Sequence, residues 1–262
     1  MKVIRGRTWP WIVLLIAFMI FYLTPGFTLV LASLVPKVHF TLPIESLSLK
    51  WYRVMLESRP ICESFWTTIK VALIVATIGT PIGLCSALAY TRYSFRGKSV
   101  FKILVFLPLF FNELTLALAM LLTYSYLGIV VSWVTMIFAE LVYILPFIVL
   151  LISVRLLSYD INLEYAARDL GATPFQVFRK ITLPLTSSAI AGAWAFAFLL
   201  SWNDYYIATY TGGSDQTVPV LIAGLMQRGF NPSIIALSST IFLISFSGLL
   251  ALAIFIYKKF RE

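Results

Sequence analysis

Long apolar runs alternate with short polar breaks along the chain. The runs cover about 9–35, 65–90, 101–126, 129–154, 186–210 and 234–257. A helix needs about 20 such residues to cross the ~30 Å hydrocarbon layer of a bilayer, and each run is long enough. The pattern predicts an all-α polytopic membrane protein with six transmembrane helices, forming a single domain over residues 1–262. Pro25-Gly26 should kink or break the first helix. Trp51, Tyr52 and Arg53 mark Leu49–Leu56 as a short interfacial helix. Gly79, Pro81, Gly83 and Ser86 suit close helix packing in the second span. Only Leu127-Gly128 separates the third and fourth spans, so these should form a tight hairpin. Between the fifth and sixth, Val218–Met226 is apolar enough to dip toward the membrane when covered by protein.

The longest polar-rich segment runs from Ser158 to Leu185. Asp160 or Asn162 can cap a helix through Leu163–Leu170, and Gly171 is a suitable C-terminal stop. Thr173-Pro174-Phe175-Gln176 reads as a second helix start: a capping threonine, a proline at the first helical position, and a glutamine reaching back. Phe175 and Phe178 share a face. Pro184 should mark the start of the next membrane helix. The product is a helix, a glycine turn and a second helix, with Ala166 and Ala167 small enough for close approach of another backbone. An amphipathic helix lying on the membrane would not need this two-part design.

Composition agrees with the hydropathy pattern. Of 262 residues, 60% are hydrophobic and 12% charged, which excludes an ordinary soluble domain. The two cysteines, Cys62 and Cys85, fall in different environments, and no bridge is expected. The single histidine, His39, excludes a histidine-cluster metal site within the chain. A net charge of +9 would suit nucleic acid, but the basic residues flank apolar runs instead.

Their distribution sets an orientation. One side holds Lys2, Arg5, Arg7, Arg92, Arg96, Lys98, Lys102, Arg155, Arg168, Arg179, Lys180, Lys258, Lys259 and Arg261. The other holds only Lys37, Lys50, Arg53, Arg59, Lys70 and Arg228. The positive-inside rule then makes both termini and the 158–185 loop cytoplasmic. Gly97-Lys98-Ser99 looks like the end of a phosphate-binding loop, but Arg92 stands where that motif needs glycine and no strand precedes it.

Glu113 and Glu140 fall near mid-span, and Asn203-Asp204 toward the outer part of the fifth span. A carboxylate at mid-membrane costs about 2.5–3.5 kcal/mol on insertion scales, so these side chains should face protein or a wet path. Either the acids pair internally and stiffen the bundle, or they line a route for a cation. Trp133, Tyr124, Trp202, Tyr205 and Tyr206 are available for cation–π contact, although aromatics in such helices more often pack.

The 158–185 segment resembles the "EAA" loop of ABC-transporter permeases through Ala166, Ala167, Leu170, Gly171, Ala172, Ile181, Leu183 and Pro184. Tyr165 stands where that loop has glutamate, and the nearest acid is Glu164. From about Trp66 to Ile254 the chain is similar to permeases of polyamine importers, particularly the C-type. Asp169-Leu170-Gly171-Ala172, Ser201-Trp202-Asn203-Asp204 and Gly229-Phe230-Asn231-Pro232 carry that likeness. Asn203 departs from it, and Trp202-Asn203 is common in sugar permeases.

The resemblance implies a type I ABC importer permease in the inner membrane that catalyses nothing itself. Its partners would be a second permease, two ATPase subunits and an extracytoplasmic solute-binding protein. The chain would bind no cofactor, with ATP and Mg held by the ATPases. Glu164, Tyr165, Ala166, Ala167, Asp169, Gly171, Phe175 and Phe178 would couple to an ATPase. Ser201, Trp202, Asn203, Asp204, Tyr205, Glu113 and Glu140 are the candidate solute path. A neutral sugar or phosphonate importer is the alternative. A secondary transporter could share the spans and acids but would not need the docking loop.

Overall fold

The computed structural model describes residues 9–35, 47–228 and 232–259. Lys2, Arg5, Arg7, Lys37, His39, Gly229, Phe230, Asn231 and Arg261 lie outside them. All regular structure among the described residues is helical. Four single helices are long and apolar enough to cross a bilayer, and a bent pair adds a fifth candidate. The sixth expected run coincides with the last helix, Pro232–Lys259.

The chain divides into two compact units, residues 1–62 with 222–262, and residues 63–221. In the first unit, α1 (Trp9–Ser33) and α2 (Lys50–Glu57) both pack on α12 (Pro232–Lys259). The short helix expected around Leu49–Leu56 is α2. Its Tyr52 hydroxyl bridges Ser33 of α1 at 2.7 Å and Ser239 of α12 at 2.8 Å. Pro25 does not break α1, which runs as one helix through it. Gly26 lies directly against the Phe242 ring, where a Cβ would clash. Its role is to let α12 approach.

The second unit contains α3 (Arg59–Arg92, from Glu63 onward), α4 (Lys98–Phe106), α5 (Glu113–Tyr126) and α6 (Trp133–Ser158). It continues with α7 (Asn162–Asp169), α8 (Pro174–Val177), α9 (Leu183–Trp202), α10 (Tyr206–Thr211) and the first turn of α11 (Val218–Gln227). Fully buried Val71 and Val75 of α3, Ile144, Ile148 and Ile152 of α6, and Ala193 and Ala197 of α9 form its core. Of the residues expected to pack closely in the second span, Gly79 and Gly83 lie against Ile148, whereas Pro81 is exposed. Gly128, at φ +66°, turns the chain from α5 toward α6.

Three expectations about continuity are corrected. The third span is not straight: α4, extended by a 3₁₀ turn at Leu107–Phe110, meets α5 at a 111° bend. Pro108 shortens the first helix, and Asn112 starts the second by accepting the Leu114 N–H at 2.9 Å. The fifth span does not reach Tyr210. It ends at Trp202, and the chain re-forms as α10 after residues 203–205. Finally, Pro184 stands at the second residue of α9 and so marks its start as expected, but no break separates the loop helix from it. One helix runs from Pro174 to Trp202, with a π turn at Phe178–Thr182. There the Leu183 N–H reaches back to Phe178. The wider turn accommodates the N–H that Pro184 lacks.

Candidate functional site

Local sequence builds the 158–185 loop as expected, and its two helices, α7 and α8, form a peg. Asp160 accepts the Asn162 N–H at 2.9 Å and opens α7. Gly171 closes it at φ +86°. The Gly171 N–H donates to Arg168 at 2.8 Å and the Ala172 N–H to Ala167 at 3.0 Å, a Schellman closure that requires the left-handed residue. Thr173 and Gln176 then cap each other reciprocally: the Thr173 N–H donates to the glutamine side chain at 2.8 Å, and the Gln176 N–H to the threonine hydroxyl at 3.3 Å.

This frame sorts the side chains into outward and inward sets. Tyr165, Ala166, Asp169, Gly171 and Phe175 are exposed, Ala167 and Phe178 are half-buried, and Val177 is buried. Leu163 and Leu170, the latter 90% exposed, extend the apolar surface beyond the residues singled out from sequence. Large apolar side chains left in the open on a polar loop form a surface suited to a partner.

Glu164 faces the other way. Sequence placed it among the residues meeting an ATPase, but only 5% of it is exposed. Its Oε1 accepts from Arg92 Nε at 3.1 Å, from Thr182 Oγ1 at 3.3 Å and from the Tyr159 hydroxyl. Burial, and then the bond to Glu164, raise the Tyr159 pKa above its usual 10.0, so the hydroxyl remains a donor at neutral pH. Arg92, Tyr159 and Thr182 were not legible as site residues. Their only signal was a basic residue at the end of a span and a tyrosine just past another.

The second cluster gathers at the breaks in the third and fifth spans. Glu113 opens α5, Glu140 lies in α6, Ser201 ends α9 and Asp204 occupies the gap before α10. The Asp204 carboxyl is close enough to Glu140 and Glu113 for the three acids to act on one another electrostatically. It also accepts the N–H groups of Ile207 at 3.2 Å and Ala208 at 2.9 Å, so it caps α10. The Ser201 hydroxyl donates to Glu140 Oε2, while Glu140 Oε1, fully buried, has no hydrogen-bond partner among the described residues. Trp202, Asn203 and Tyr205 are not drawn in. Trp202 stacks on Phe198 and meets Phe65 edge-on, the Asn203 side chain donates to the Leu199 carbonyl at 2.8 Å, and Tyr205 packs on Tyr206. No group of three His, Cys, Asp or Glu side chains placed to hold a metal ion occurs among the described residues.

Residues 79–260 match the family model of the binding-protein-dependent transport system inner membrane component. The chain belongs to this family. It is 31% identical over 197 residues to the spermidine/putrescine transport system permease protein PotC of Escherichia coli (strain K12), covering 75% of each chain. It is 31% identical over 231 residues to the putrescine transport system permease protein PotI of the same strain, covering 82% of each. It is also 27% identical to the trehalose transport system permease protein SugB of Mycobacterium tuberculosis, over 66% of this chain and 64% of that one. Two solved ABC transporters share the fold, one of them a bacterial ABC transporter involved in the import of the acidic polysaccharide alginate. For the alginate importer the TM-score is 0.66 at 16% identity, covering 96% of this chain and 94% of that one. For the MetNI methionine ABC transporter it is 0.62 at 19% identity, covering 81% and 97%. The all-α architecture of this inner membrane component is therefore that of ABC importer membrane subunits, and the family's role is transport rather than catalysis.

Proposed function

We propose that the chain is the permease subunit of an ATP-driven ABC importer for polyamine-like cations. The whole of residues 1–262 would form half of the translocation path, and a related second permease the other half. Two ATPase subunits would supply the work, holding ATP and Mg that this chain does not bind, and an extracytoplasmic binding protein would deliver the solute. The basic residues support an orientation with both termini and the peg in the cytoplasm. The observation that carries the reading is the peg itself. Its inward side is fixed by polar contacts, while Leu163, Tyr165, Leu170 and Phe175 stand exposed. The likeness to two polyamine permeases supports the solute class, as do the acids gathered around Asp204.

The mechanism is a two-state switch. Closure of the ATPase pair carries the peg with it, and the permease pair rocks between inward- and outward-open arrangements. The deciding experiment is ATP-dependent uptake by the complete reconstituted complex, with labelled spermidine and trehalose as alternative solutes. Spermidine uptake lost in Asp204→Asn supports a cation path. Trehalose uptake indifferent to that change replaces it with the second reading, a neutral-solute importer. That reading is favoured by the likeness to SugB and by the internal hydrogen bonds already satisfying Asp204.

A further inference from the structure

The peg is joined to the helix bundle by more than its own chain. Arg92 is the last residue of α3, and Glu164 lies 72 positions further on, in α7. Their side chains are 11% and 6% exposed, and their ion pair measures 3.1 Å. Arg92 also donates through Nη2 to the Leu156 carbonyl at 2.8 Å. That carbonyl belongs to the last turn of α6, where the helix leaves its acceptors unpaired. The guanidinium carbon sits 4.8 Å over the Tyr159 ring. From the far side, Thr182 in the π turn donates to the same Glu164 oxygen. One guanidinium and one carboxylate thus join the ends of α3 and α6, the first peg helix and the root of α9.

We infer that Arg92 is a positioning residue for coupling: through Glu164 it pins the peg to α3 and α6, so that peg displacement moves those spans. This rests on the reading of the loop as the coupling element. Two features favour a pin over a surface ion pair. Arginine's planar fork serves two acceptors at once, which lysine's ammonium does not match. And the pair is buried, so removing one partner leaves the other charged and unpaired, while removing both does not.

The test uses the complete complex in proteoliposomes and reads solute uptake per ATP hydrolysed. Arg92→Gln and Glu164→Gln should each lower that ratio about tenfold, within the usual range of coupling energies. Arg92→Lys should fall between them and the parent. The double variant Arg92→Gln/Glu164→Gln should be no worse than the worse single, because both remove the same link. Unchanged uptake per ATP in both single variants overturns the pin, as does a double variant whose loss is the product of the two. Should a single variant fail to assemble, the double decides, since it leaves no lone buried charge. A double variant that also fails to assemble makes the pair a folding element only. Phe175→Asp at the exposed tip separates the two levels. If it leaves uptake per ATP intact, the coupling reading itself fails; if it uncouples while the pin variants do not, only the pin fails.

Discussion

Lys70 Nζ lies 3.8 Å above the centre of the Trp133 ring, and the Trp133 backbone N–H donates to Asp215 Oδ2 at 3.2 Å. A ring that sequence offers to a passing cation therefore already carries one from its own chain. The side chain of Lys70 is exposed, so the contact should contribute only about 0.5–1 kcal/mol. A double-mutant cycle of Lys70→Met with Trp133→Leu, read as thermal stability of the purified complex, should return a coupling of that size. A coupling of zero removes the contact as a source of stability.

Gly171→Ala isolates backbone strain. Nothing lies within 4 Å of a Cβ built there, but φ is +86°. The left-handed conformation should cost alanine about 1–2 kcal/mol, and Gly171→Asn should be milder. Hydrogen exchange of the α7 amides should be fastest in Gly171→Ala and intermediate in Gly171→Asn, and uptake should fall correspondingly.

Gly83→Ala and Gly192→Ala form a contrasting pair. The new methyl of the first runs into Ile148, whereas the second has open space around it. Overpacking at Gly83 should destabilise by about 1–3 kcal/mol, and Ile148→Val should not recover that loss, because valine keeps the Cβ and Cγ2 that the new methyl meets. Gly192→Ala should be neutral or slightly stabilising in the same melting experiment.

Charge and capping can be separated at Asp204. Asp204→Ala removes the acceptor for Ile207 and Ala208 and should cost about 0.5–2 kcal/mol. Asp204→Asn keeps a side-chain oxygen for one of them and should cost less in stability. Ser201→Ala takes the donor from buried Glu140 and should cost about 1–3 kcal/mol. Melting curves of the three variants should keep that order within the Asp204 pair.

The parts of the peg that depend on near neighbours were legible. Thr173, Pro174 and Gln176 act within four residues of one another, and Gly171 is the obvious left-handed stop. Leu49–Leu56 was likewise found as α2. Breaks inside apolar runs were not, because hydropathy averages over them. Asn112-Glu113 reads as a mid-span charge on a hydropathy scale, but as a cap and first-turn acid by helix chemistry, and the latter prevailed. Asn203-Asp204 repeats the lesson at the end of α9. The Arg92–Glu164 pair is different in kind. Nothing local links residues 72 apart, and only the fold brings them together. Glu164 was therefore read as an ATPase contact, from its place beside the motif position that Tyr165 holds.

The π turn at Phe178–Thr182 has a mechanical consequence. Because the helix from Pro174 to Trp202 is unbroken, its 29 residues form one strut, about 43 Å long at the α-helical rise. Phe175 sits at one extremity and the Asp204 gap just beyond the other. A displacement imposed at Phe175 would therefore travel to the Asp204 gap along one continuous helix, without a relay of neighbouring side chains.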